Sequence, residues 1–254
     1  MTKNTNAVSQ GRFVWHELHT RDVAAAKGFY GELFGWETRG VDMGPMGTYT
    51  IIQAGGKDVG GIAKVQGKSS PEWLAYCSTD DVDAAVSRAQ KQGAKVEVPP
   101  TDIPNVGRFA QIVDRQGARI APFKPNPGGP ESDDAPAPGT FCWTELATQD
   151  PKDALELYKA TFGWTVEEKD MGPMGTYYVL KRGDKQAGGL MKTMDPKAPS
   201  GWLAYVAVAD VDKSFEKAKR LKAESCMQPM DIPGVGRFAV VKDPEGVLIA
   251  LFQT

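Results

Sequence analysis

The sequence predicts an α+β protein of two tandem copies, each made of two βαβββ modules, and three observations carry that prediction: an internal repeat, a Pro/Gly-rich break, and a recurring element order. The run Phe13-Val-Trp-His-Glu-Leu18 returns as Phe141-Cys-Trp-Thr-Glu-Leu146, and Phe34-Gly-Trp36 returns as Phe162-Gly-Trp164, both at an offset of 128. Asp42-Met-Gly-Pro-Met-Gly-Thr-Tyr49 recurs unchanged as Asp170 to Tyr177. One inserted residue makes the offset 129, and Trp73-Leu-Ala-Tyr76 then matches Trp202-Leu-Ala-Tyr205. Asp102 to Ala110 matches Asp231 to Ala239 in the same way. Matches in one order along the whole chain mean duplication. The copies are read as domains at 11–124 and 139–254, joined by a linker at 125–138 whose prolines and glycines cannot continue a helix or a strand ladder.

The elements follow in order. Phe13 to Leu18 alternates as a strand, and a helix starts at the capping Asp22 with Val23, Ala26, Phe29, Tyr30, Leu33 and Phe34 on one face. Gly35 stops it. Trp36 to Val41, Thr48 to Gln53 and Val59 to Val65 read as strands, separated by Gly-Pro-Met-Gly and by Gly55-Gly56. The second module opens with a strand at Trp73 to Ser78 and a helix from Val82 to Gln92, closed by Gly93. Strands at Lys95 to Val98, Phe109 to Val113 and Arg119 to Phe123 complete it, and the second copy repeats the order.

Composition narrows the partners. A chain of 254 residues with 41% hydrophobic and 24% charged content has room for two ordinary cores. Its formal charge of −2 provides no basic excess for phosphates, so no nucleic acid is expected. No apolar run reaches the roughly 18 residues of a membrane span. The first ten residues are polar, without a signal peptide's apolar core, so no membrane association and a cytoplasmic location are expected. Cys77, Cys142 and Cys226 are odd in number and lack zinc or redox spacing, which reads as reduced structural thiols.

The order of motifs resembles the vicinal-oxygen-chelate superfamily of glyoxalases, bleomycin-resistance proteins and extradiol dioxygenases. The residues that carry this are Thr20-Arg-Asp22, the helix ending Phe29-Tyr30 and Leu-Phe-Gly-Trp36, the helix start Asp-Asp-Val-Asp83, Gly-Arg-Phe-Ala, and the Asp-x-x-Gly turns; the last two recur as written in the second copy and the others recur in part. The resemblance implies two glyoxalase-like domains whose sheets curl into a cleft for a divalent metal or a small ligand. Metal-dependent members use a first-strand His, a His on the strand that opens the second module, and a Glu on the final strand, a set that leaves coordination positions open to substrate. Those positions align here with Trp15 and Trp143, Trp73 and Trp202, and Ala121 and Ala250. None of these side chains is a ligand, so neither metal nor cofactor is expected. The only histidines, His16 and His19, lie three apart on one strand and point to opposite faces, which favours packing or surface roles over a metal pair.

The implied cleft therefore presents other groups. Trp15 and Glu17 share a strand face, as do Trp143 and Glu145, and the resemblance adds Trp73 and Trp202 as further stacking surfaces. Two readings stand side by side: indoles that bind a ligand, or indoles that fill a vestigial pocket. Glu17 and Glu145 are candidate catalytic bases if desolvation raises their pKa, or else carboxylates paired with a nearby group. Arg108 and Arg237 could clamp an anionic ligand, or make a structural bond to Asp102 and Asp231. The Asp-Met-Gly-Pro-Met-Gly loop either borders the cleft mouth or forms a tight turn.

The leading expectation is a metal-independent protein that binds a small planar or aromatic molecule, as resistance members do. The alternative is an enzyme: glyoxalase-like, or a cofactor-free hydroxylase, isomerase or lyase that uses Glu17 or Glu145. A third is an interaction or regulatory scaffold. Assembly into a homo-oligomer is compatible with each.

Overall fold

The computed structural model describes residues 10–44, 47–65, 69–126 and 136–254. The polar residues 1–9, most of the linker (127–135), and Pro45 and Met46 of the first Gly-Pro-Met-Gly loop lie outside the described residues.

The first module runs β1 (Phe13–Thr20), α1 (Val23–Phe34), β2 (Glu37–Asp42), β3 (Thr48–Ala54) and β4 (Lys57–Lys64). The second runs β5 (Glu72–Ser78), α2 (Val82–Lys91), β6 (Lys95–Ile103), β7 (Gly107–Val113) and β8 (Arg119–Pro125). The second copy supplies β9 (Phe141–Thr148), α3 (Pro151–Phe162), β10 (Thr165–Asp170), β11 (Thr176–Arg182) and β12 (Lys185–Lys192). Its last module is β13 (Gly201–Ala207), α4 (Val211–Arg220), β14 (Glu224–Ile232), β15 (Gly236–Lys242) and β16 (Leu248–Gln253).

The helix ends are set locally. Asp22 accepts a hydrogen bond from the Ala25 amide, and Gly35, left-handed at φ 72°, closes α1 with its amide on the Gly31 carbonyl. Asp81, Asp150 and Asp210 cap α2, α3 and α4 in the same manner. The strand β6 exceeds the sequence expectation by five residues and continues through Pro99 and Pro100 to Ile103. It lies at the edge of its sheet and carries two register shifts, a setting in which missing amide donors are tolerated.

The strands form two eight-stranded sheets, in the orders β2-β3-β4-β1-β5-β8-β7-β6 and β10-β11-β12-β9-β13-β16-β15-β14. Within each module the first and last strands pair in parallel, with Glu17 opposite Gly61 and Tyr76 opposite Ala121. Each sheet thus belongs to one copy.

The compact units do not coincide with the copies. One comprises Met1–Val14, Ala75–Asp134 and Thr144–Trp202, and the other Trp15–Leu74, Ala135–Trp143 and Leu203–Thr254. In the first unit α2 packs on α3, where Arg88 donates from Nε to the Ala160 carbonyl and from Nη2 to that of Thr161, both at 2.9 Å. The buried Tyr158 hydroxyl there donates to Asp114 at 2.9 Å and accepts from the Trp202 indole at 3.3 Å. In the second unit α1 packs on α4; Tyr30 donates to Asp243 at 2.9 Å and accepts from Trp73 at 3.1 Å. Burial, then the Asp243 charge, pushes the Tyr30 phenol well above its ordinary range. Each core thus joins a module of one copy to a module of the other.

Among the described residues no helix is long and apolar enough to cross a membrane. The three cysteines are free: Cys77 is buried, Cys142 is half-buried and Cys226 is exposed.

Candidate functional site

The first strand of the chain carries the most developed polar arrangement. Alternation along β1 sends His16, Leu18 and Thr20 into buried positions and leaves Trp15, Glu17 and His19 together on the other face. The Trp15 indole donates to the Tyr49 hydroxyl at 3.1 Å, and that hydroxyl donates to Glu17 Oε2 at 2.6 Å. Glu17 Oε1 meets His19 Nε2 at 2.8 Å. Both side chains of this last pair are largely covered, at 12% exposure for Glu17 and 17% for His19. Burial, with the Glu17 charge as the next cause, raises the Tyr49 pKa and keeps the phenol protonated as a donor.

Gly61 makes this chain possible. It is the β4 partner of Glu17, and a Cβ there would overlap the Tyr49 hydroxyl. The absence of a side chain lets the phenol cross β4 and reach the carboxylate.

The second copy keeps part of this arrangement. Tyr177 donates to Glu145 Oε2 at 2.7 Å, with Gly189 opposite Glu145 in the register. Ala147 stands where the first copy has His19, so the imidazole has no counterpart. Trp143 packs in an apolar cluster with Leu203, Tyr205, Phe238, Ala250 and Phe252.

Several sequence expectations need correction. Trp73 does not share the face of Trp15: it is 4% exposed and packs on Tyr30, Trp36 and Phe141 in the core. Trp202 likewise packs on Phe13, Tyr158 and Trp164. Trp73 is closed off from a ligand, and Trp202, half-buried, has its ring engaged by these neighbours. The reason is strand parity. Trp15 lies seven residues before the cap Asp22, and the residues seven before the caps Asp81 and Asp210 are Leu74 and Leu203. A shift of one residue turns a side chain to the opposite face.

Arg108 and Arg237 also differ from the ligand-clamp reading. Arg108 forms a two-bond pair with Asp83 at 2.8 and 2.9 Å and bonds Asp102 at 3.0 Å; Arg237 repeats this with Asp212 and Asp231. Two carboxylates on each guanidinium neutralise it and use its fork, so these arginines tie a helix start to a strand end. Glu17 and Glu145 are placed as paired carboxylates, each holding a tyrosine hydroxyl.

Of the two histidines, His16 is 4% exposed and stacks on Phe141 at 4.1 Å. Burial lowers its pKa to about 3, so it is a neutral core residue. His19 is the residue that sequence reasoning passed over. The signal was present: residues 17 and 19 share a strand face, and a carboxylate beside an imidazole forms a pair.

In the second copy Trp143, Leu203 and Ala250 lie in one apolar cluster. Indole, isobutyl and methyl groups offer no donor to a divalent ion, so this set does not fit one. Among the described residues no group of three or more His, Cys, Asp or Glu side chains could hold a metal ion.

Comparison with known proteins places this arrangement. The family model "Glyoxalase/Bleomycin resistance protein/Dioxygenase superfamily" matches residues 12–121 and again 140–251. The chain belongs to this superfamily. A curated relative from Mycobacterium tuberculosis (strain CDC 1551 / Oshkosh), named "Putative glyoxylase CFP32", is 36% identical over 255 residues, covering 96% of this chain and 95% of that protein. The "Anthracycline biosynthesis protein DnrV" of Streptomyces peucetius is 31% identical over 254 residues, covering 93% of this chain and 90% of that protein. Among solved structures, the Mn(II)-bound glyoxalase from Novosphingobium aromaticivorans superposes with a TM-score of 0.63 at 17% identity, covering 97% of this chain and 82% of that one. The 2,3-dioxygenase LapB from Pseudomonas sp. KL28 gives 0.64 at 11% identity, covering 98% and 93%. At such identities the structural likeness speaks for the superfamily fold alone.

Proposed function

We propose that this superfamily member binds a small planar aromatic molecule without the metal of its metal-dependent relatives, on the β1 face of the first copy. The observation that carries this is the hydrogen-bonded chain Trp15–Tyr49–Glu17–His19. An indole flank supplies dispersion and stacking, and the polar chain beside it can meet hydroxyl or carbonyl groups on the rim of an aromatic ring. The relatives named for anthracycline biosynthesis support a planar polycyclic ligand. Sequestration of such a compound, as in resistance, is the corresponding role.

A second reading has its own observation. A carboxylate bonded to an imidazole on one oxygen and to a phenol on the other is also a proton-transfer arrangement, which favours a glyoxalase-like or cofactor-independent isomerase, lyase or hydroxylase. In that case His19 accepts the proton and Glu17 holds the ring. The carboxylate already carries bonds from both neighbours, which makes it the weaker candidate for base.

Titration of the purified protein with an anthracycline, read by indole fluorescence and preceded by elemental analysis, tests the proposal. Binding by metal-free protein that Trp15→Ala weakens severalfold supports it. Unchanged affinity in that variant, or a stoichiometric divalent ion that binding requires, overturns it. Loss of turnover with retained binding in His19→Ala would select the enzyme reading.

A further inference from the structure

We propose that the second copy holds a separate binding site at the start of α3, for a small organic anion with an apolar body and a carboxylate. A cavity of about 650 Å³ is lined there by Pro151, Lys152, Met174, Tyr178, Lys192 and Met194, within the volume range of small-molecule pockets. It is not the β1-type face described above. Successive residues of β11 point to opposite sides, so Tyr177 reaches Glu145 while Tyr178 faces the helix side of the sheet.

Tyr178 is the observation that points to a ligand. It is only 9% exposed and lines the cavity, yet among the described residues its hydroxyl makes no hydrogen bond. Two deeper phenols on the helices, Tyr30 and Tyr158, each have two hydrogen-bond partners. A phenol left over at a cavity wall is a donor available to an occupant.

The remaining walls define the occupant. Met174 and Met194 are 48% and 70% exposed, flexible thioethers that can close on a flat apolar body. Lys152 and Lys192 also line the cavity, and among the described residues neither ammonium has an ion-pair partner. The carboxylate of Asp150, also in the lining, accepts from the Lys152 and Asp153 amides and so faces the helix backbone. Two lysines and a phenol around an apolar floor suit a carboxylate on an aromatic or aliphatic body. The first copy has Val23, Ala24 and Thr50 in place of Pro151, Lys152 and Tyr178, so the feature belongs to one copy only.

The test uses the full chain carrying Trp15→Ala, so that binding on the β1 face does not contribute. Isothermal titration with 1-naphthoate is compared with the neutral 1-naphthalenemethanol. We expect naphthoate to bind more tightly than the alcohol. Tyr178→Phe, which removes one oxygen from a buried ring, should weaken it about threefold or more. Lys152→Ala with Lys192→Ala should weaken it further and flatten its dependence on salt. Equal binding of acid and alcohol, naphthoate affinity unmoved by these variants, or no binding at concentrations on the order of 10 mM overturns the proposal. Tryptophan-dependent binding in the parent chain reports on the β1 face independently.

Discussion

The two copies share a backbone plan and differ at a few positions that decide their chemistry. In the first, Glu17 sits between the hydroxyl of Tyr49 and the imidazole of His19, with Trp15 completing the chain. In the second, Glu145 keeps Tyr177 and Ala147 replaces the histidine. Tyr178 replaces Thr50 on the helix side and lines a cavity. Duplication has kept the tyrosine–glutamate pair, which depends on a strand register shared by both copies, and has let the residues around it diverge.

The most drastic way to break this comparison is to separate the copies. The interior contacts Tyr30–Asp243, Trp36–Gly139 and Tyr158–Asp114 each join residues from different copies within one compact unit. Halves at 1–124 and 139–254 should therefore lose the cooperative urea transition of the intact chain. Two halves that each unfold cooperatively at the parent midpoint would show that the sequence copies are self-sufficient domains.

Next in size is the contrast between core and face indoles. Trp73→Ala removes a buried ring and its bond to Tyr30, and should cost about 3–5 kcal/mol of stability. Trp15→Ala, on a half-buried face, should cost clearly less. Equal midpoint shifts in chemical denaturation would remove the distinction drawn here between the two tryptophans.

A pH effect of intermediate size follows from His16. Its folded pKa of about 3 lies below the ordinary value of 6.5, so the unfolded chain takes up the proton first. The stability this neutral ring contributes is present above pH 6.5 and is lost as the pH falls toward 3, by at most about 1.4 kcal/mol per pH unit. The second copy has Thr144 at this position. Replacing His16 by a non-titrating residue such as Gln should shallow the acid limb of the stability curve, and an unchanged slope between pH 6 and 4 would contradict the assignment.

The smallest expected effect sharpens the comparison at a single side chain. Ala147→His should recreate the imidazole–carboxylate pair beside Glu145 with a stability change within about 0.5 kcal/mol. NMR titration of the new ring against that of His19 checks whether the second strand face provides an equivalent setting. Divergent titration curves would mean that the surroundings, and not the missing residue alone, separate the two copies.

The duplication, the cap at Asp22 and the four modules were legible in the sequence, because repeats and caps are local signals. Strand alternation also placed Trp15 and Glu17 on one face. It did not reveal that Tyr49, distant in sequence, crosses Gly61 to hold Glu17, since that depends on the pairing of β3, β4 and β1. Parity on β5 and β13 put Trp73 in one core and packed the half-buried Trp202 against the other, and a one-residue offset hid it. For the arginines the sequence offered either a ligand clamp or a bond to Asp102 and Asp231; the fold makes that bond and adds Asp83 and Asp212. By itself the sequence determined the repeat and the element order, both of which follow from spacing along the chain. Tertiary structure alone decided which modules share a core and which polar groups find each other, because those outcomes depend on pairing between residues far apart in the sequence.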